Sequence, residues 1–109
     1  MSRDEQAIED EIREKGLVAH RLSPEAIDAC IASEQYHVFP GTTVTVCCLT
    51  LRNGFSVVGE SACVSKANFD EELGRKVARG KARDRIWEVE GYRLRQDLWN
   101  QDLAQPQSA

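Results

Sequence analysis

Lys76, Arg79 and Arg83 follow one another at three- and four-residue steps, and Trp87 adds one more turn, so on a helix the four share a stripe. Cations ending in an indole are what a phosphate backbone and a stacked base require. These four are therefore the candidate binding residues. The stripe also reads as a solvated face or a protein contact. Glu72 stands four residues before Lys76, and Glu71 four before Arg75, the offset at which helical ion pairs form. Catalysis has less to draw on. His20 and His37 lie in linkers with no nucleophile at a motif spacing, and no phosphate-binding loop, GxSxG or HExxH occurs. Glu60, an acid in mid-strand, reads as an edge charge that discourages aggregation. The expectation is a protein that is not an enzyme and takes no cofactor.

Cys30, Cys47, Cys48 and Cys63 contain no CxxC pair, and neighbours Cys47 and Cys48 point to opposite faces of a strand. They read as reduced, mostly buried thiols, with no metal site. The charge of −4 is unevenly placed. Acids dominate through Glu34, whereas Arg75 to Arg85 is basic with Asp84 as its lone acid. The two regions can satisfy each other inside the fold, across a dimer, or by presenting a bipolar surface. Net acidity counts against a general nucleic-acid binder.

Positioning those residues falls to a chain of 109 residues, the size of one domain. No apolar run approaches the ~20 residues of a membrane-crossing helix, and Met1-Ser2-Arg3-Asp4-Glu5 has no apolar leader, which points to the cytoplasm. Ser2 to Glu5 forms a capping-box pattern ahead of a short helix whose stripe is Ile8 and Ile12. Ser23-Pro24-Glu25 starts a second helix, with Ile27, Cys30 and Ile31 as its stripe, ended by Tyr36 to Gly41.

Thr42 to Arg52 and Phe55 to Val64 read as strands around Asn53-Gly54, a two-residue hairpin turn. That loop sets Arg52 opposite Phe55, Thr50 opposite Val57, Cys48 opposite Gly59 and Val46 opposite Ser61. One face then collects Val44, Val46, Cys48, Phe55, Val57 and Cys63. The other collects Cys47, Leu49, Leu51, Val58, Glu60 and Ala62. A long helix follows from about Phe69 to Glu90, with an apolar arc of Val77, Ala78, Ala82, Ile86 and Val89, broken or kinked at Gly91. The fold class is α+β: two short N-terminal helices, a β-hairpin with an Asn-Gly turn, and a long C-terminal helix packed on the hairpin. Residues 1–99 form a single domain and 100–109 a disordered tail. Two apolar faces and two open edges on the hairpin predict a homodimer.

The blocks Leu49-Thr50-Leu51-Arg52-Asn53-Gly54-Phe55, Gly59 to Val64, Asn68-Phe69-Asp70, Gly74 to Ala78, Trp87 and Glu90 to Arg95 occur in a characteristic order. In that order and spacing the chain resembles a family of short tailed-phage proteins typified by the podophage gene products forty-nine and sixty-six. The resemblance spans about Thr42 to Leu98 and includes the Ser23-Pro24-Glu25 start. It implies a phage or prophage origin and action in the host cytoplasm, and it supplies no catalytic residues. Two functions are then in view. One is an accessory factor that binds a host protein stoichiometrically, for host takeover or against a defence component. The other is a nucleic-acid-binding accessory protein working through Lys76, Arg79, Arg83 and Trp87.

Overall fold

A computed structural model describes residues 2–17 and 19–104, with side chains from Asp4 onward. Helices α1 (Ser2–Glu14) and α2 (Pro24–Ala29) come first. Three strands follow: β1 (Ile31–Val38), β2 (Val44–Leu51) and β3 (Ser56–Ala62). A 3-10 turn over Lys66–Asn68 leads into α3 (Glu71–Ala104). The strands form one antiparallel sheet in the order β1-β2-β3. α3 lies across one face of it, so the α+β class is as expected.

Ser23 caps α2 by accepting from the Ala26 amide at 3.1 Å, with Pro24 in the first turn. The helix then stops early, at Ala29. Of the expected stripe, Ile27 is fully buried, but Ile31 opens a strand that the sequence pattern did not announce. β1 pairs with β2 from Ile31 opposite Leu51 to Val38 opposite Thr45, with an irregularity between Ile31 and Ser33. β1 therefore closes one of the two edges left open by the hairpin.

The hairpin turn is one residue longer than expected. The Gly54 amide donates to the Leu51 carbonyl at 2.9 Å, and the Leu51 amide donates to the Phe55 carbonyl at 2.7 Å. Arg52-Asn53-Gly54 thus forms a three-residue loop, with Gly54 at φ +91°, a backbone conformation that suits glycine. Pairing runs Thr50–Ser56, Leu49–Val57, Cys47–Gly59 and Thr45–Ser61. The one-residue shift moves β3 to the opposite face from that expected. Thr45, Cys47, Leu49 and Leu51 share the buried face with Val57, Gly59 and Ser61, not with Val58 and Glu60. Val44, Val46, Cys48 and Val58 belong to the outer face, where Val58 is 46% exposed.

α3 reaches the sheet through small residues. Ala78, Ala82 and Ile86 are fully buried and join Ile27, Cys47, Leu49, Leu51 and Val57 in one core. Ser61 Oγ donates to the Gly74 carbonyl at 2.8 Å. A methyl group on Gly59 would overlap the backbone carbonyl of Ala78 and the amide of Ala82, so this position must be bare for α3 to settle. The helix passes through Gly91 without a break and continues to Ala104. Its neighbours favour helix strongly enough to offset the roughly 1 kcal/mol that an interior glycine costs. Asn100 to Ala104, read from the sequence as tail, are thus helical, while 105–109 lie outside the described residues. So does the Ser2 side chain on which the expected capping box rests.

Candidate interaction surface

The four stripe residues do not form one free cationic face. Lys76 is exposed and pairs with Glu72 at 3.7 Å along its own helix. Arg79 Nε donates to Glu34 on β1 at 3.0 Å. Arg83, only 14% exposed, donates from Nη1 to Glu5 at 2.7 Å, from Nε to Asp28 at 2.7 Å, and from Nη2 to the Pro24 carbonyl at 3.2 Å. Burial works against the Arg83 charge, but the hydrogen bonds to Asp28 and Glu5 more than offset it and hold its pKa above the ordinary value. Trp87 is half-buried, packs against the core, and its indole N–H has no acceptor among the described residues.

Glu5, Asp28 and Glu34 are the partners that residue spacing did not reveal. They stand 78, 55 and 45 positions from the arginines they meet. The uneven charge distribution was the available signal, and the fold resolves it internally. Glu34 is held below the usual carboxylate range by the Tyr36 hydroxyl, which donates at 2.8 Å, and then by Arg79. Burial, followed by that same hydrogen bond, raises the Tyr36 phenol.

α1 is anchored by the same kind of contact. Glu9 is 4% exposed and accepts from Arg21 at 2.7 and 2.8 Å and from Arg13 at 2.7 Å. The Arg21 hydrogen bonds, then that of Arg13, hold the Glu9 carboxyl down to about 2. Glu5 on Arg83 completes the attachment. Between α1 and α3 this leaves an open groove of about 340 Å³. Its walls are Ile8, Ile12, Leu22, Pro24 and Trp87, and its polar lining is Asp4, Glu5, Glu9 and Asp84. No cation lines it among the described residues. Asp4 and Asp84 have no ion-pair partner there either. A wider hollow of about 650 Å³ runs beside the stripe, where Lys76, Arg79, Lys81 and Arg83 alternate with Glu5, Asp28 and Asp84.

A family model described as Phage protein (N4 Gp49/phage Sf6 gene 66) family matches residues 22–98. The chain belongs to this phage protein family. No curated protein and no solved structure gives a significant match. The Gp49/gene 66 match takes in α2, the sheet and α3 as far as Leu98. α1, with Glu5 and Glu9, lies before it. The groove is therefore walled on one side by the Gp49/gene 66 unit (Leu22, Pro24, Trp87) and on the other by α1.

Elsewhere in this phage protein, Cys47 is buried and Cys30, Cys48 and Cys63 are half-buried, so fewer of the thiols are enclosed than the sequence suggested. Burial raises the pKa of Cys47 and Cys30, and the Glu90 carboxylate adds to the effect on Cys30. Protonated thiols of this kind are poor nucleophiles. His37 is exposed and meets the Phe39 ring edge-on at 4.6 Å. Glu60 is exposed on the outer sheet face. Among the described residues, no three His, Cys, Asp or Glu side chains converge as a metal site. Among the described residues no helix is long and apolar enough to cross a membrane.

Proposed function

We propose that this phage protein acts in the host cytoplasm by stoichiometric binding to a host protein, inhibiting or redirecting it, and not by catalysis. The observation that carries this reading is the α1–α3 groove. Five apolar walls and the carboxylates of Asp4 and Asp84, which have no ion-pair partner among the described residues, fit an apolar side chain flanked by Lys or Arg. A desolvated apolar anchor with a charged rim is how protein interfaces concentrate their binding energy. The partner segment is accordingly a basic one carrying a Leu- or Phe-like anchor.

The nucleic-acid alternative has less support. Arg79 and Arg83 already hold carboxylates, and the hollow beside them mixes both signs, so little positive field is left to follow a phosphate chain. One experiment separates the two readings. A tagged chain captures its partner from nuclease-treated host lysate, and the complex is rebuilt from purified components for calorimetry. The expected result is a fixed stoichiometry, with affinity lowered at least about tenfold, a 1.4 kcal/mol change, by Asp4→Lys/Asp84→Lys. Salt-sensitive DNA or RNA binding abolished by Lys76→Glu/Lys81→Glu, with no protein complex, would overturn the proposal.

A further inference from the structure

The distal part of α3 poses a separate problem. From Tyr92 to Ala104 no residue is buried, and every side-chain hydrogen bond among the described residues stays within the helix, as in Arg93 to Asp97 and Gln96 to Asn100. Thirteen residues make about 20 Å of helix, a length at which an isolated helix in water is marginal. This segment also exposes large apolar groups. Tyr92 is 73% exposed, Trp99 53% and Leu103 65%. With Gln96 they follow steps of four, three and four residues, which is the spacing of a helix–helix seam.

The seam is self-complementary. If it is reversed about a point between Asp97 and Leu98, Tyr92 meets Leu103 and Gln96 meets Trp99. The charges beside it follow nearly the same operation, which brings the copy's Asp102 to the level of residue 93, about 3 Å along the axis from Arg95. Arg95 lies toward the body and Asp102 toward the tip, on one flank of the seam, so a reversed second copy brings Arg95 to Asp102 twice over. A parallel copy would leave Arg95 and Asp102 on different flanks and seven residues apart along the axis, out of reach of one another. A two-fold axis requires each patch to complement itself, and this one does.

From these observations we infer that α3 residues 92–104 form a homodimer contact with the same segment of a second copy, antiparallel, seamed by Tyr92, Gln96, Trp99 and Leu103 and flanked by Arg95–Asp102 pairs. The contact is independent of the groove between α1 and α3 and leaves it open. Three apolar anchors per copy make a small interface, so the dimer is expected to be a weak one that forms toward the top of the concentration range below.

Sedimentation equilibrium of the full chain from 10 to 500 µM tests this. The mass should rise from 12.2 kDa toward twice that value over the range. Trp99→Glu alters an exposed residue, so it should leave the thermal melt unchanged while weakening dimerisation at least tenfold. Arg95→Asp and Asp102→Arg should each weaken it several-fold, and the double variant should restore it. A parent chain that stays monomeric at 500 µM overturns the inference. So does a dimer that is indifferent to Trp99→Glu, or a double variant no better than its parents. The groove proposal survives any of these results, because Asp4→Lys/Asp84→Lys is expected to leave dimerisation unchanged.

Discussion

Replacing Gly59 with alanine tests the placement on which every surface of this protein depends. The added methyl would overlap the Ala78 carbonyl and the Ala82 amide, and would come within 2.9 Å of the Lys81 carbonyl carbon. All three are backbone atoms, so no rotamer change relieves the contact. Either α3 rises or β3 sinks, opening a gap beside Ala78, Ala82, Ile86 and Val57, all of them in the core. Overpacking that forces backbone movement costs about 1–3 kcal/mol, and a collision with rigid helix backbone belongs at the top of that range, about 3 kcal/mol. At this chain length about 1 kcal/mol moves the midpoint by about 4–6 °C, so Gly59→Ala should melt about 12–18 °C below the parent. Gly80 supplies the control, because it lies on the same helix and a methyl group there would meet nothing within 4 Å. Gly80→Ala should stabilise by about 0.5–1 kcal/mol through helix propensity alone. Far-UV circular dichroism melts of both variants suffice. A Gly59→Ala midpoint within about 2 °C of the parent would mean that α3 does not lie against β3, and the groove and ion pairs built on that contact would fall with it.

Arg83→Ala should destabilise by about 2–3 kcal/mol in urea titration, because it leaves Glu5, 12% exposed, enclosed without its counter-charge. Lys76→Ala, which breaks a pair exposed on both sides, should change stability by less than about 0.5 kcal/mol. Glu9 gives a pH signature. Its folded value of about 2 lies below the ordinary 4.5, so its contribution is fully present above 4.5 and is lost as pH falls toward 2. Protection factors of the α1 amides, taken against the intrinsic exchange rate at each pH, should fall over that window in the parent, and Glu9→Gln should flatten the dependence.

The long helix, the hairpin and the capped start at Ser23 were legible because each rests on local spacing and turn chemistry. β1 was not. Ile27, Cys30 and Ile31 keep helical intervals across the boundary, and Ser33-Glu34-Gln35 lack the apolar alternation that marks a strand, since β1 is an edge whose partner lies further along the chain. The register was missed for a related reason. Asn-Gly serves a two-residue loop and equally well a three-residue loop with the glycine last, and the choice between them is made by α3, which must find Gly59 rather than Val58 beneath it. The stripe of Lys76, Arg79, Arg83 and Trp87 was correctly placed along one helix. Its surroundings were invisible because the neutralising carboxylates arrive from α1, α2 and β1.

The same partnership explains why a groove exists at all. α1 is held at Glu5 and Glu9, both directed to arginines, whereas Ile8 on the same helix stays 60% exposed. A helix seated by apolar burial would have closed on Leu22 and Trp87. One seated by charge stands off from them, leaving an apolar wall facing an acidic rim. Ion pairs of this kind weaken with salt where they reach solvent, whereas the apolar walls do not. A cationic partner entering the groove therefore adds attraction at Asp4 and Asp84, buries Ile8, which the free protein leaves 60% exposed, and completes the cover of Ile12, which is half-buried. The attachment of α1 and the binding of that partner are consequently coupled, and each should strengthen the other.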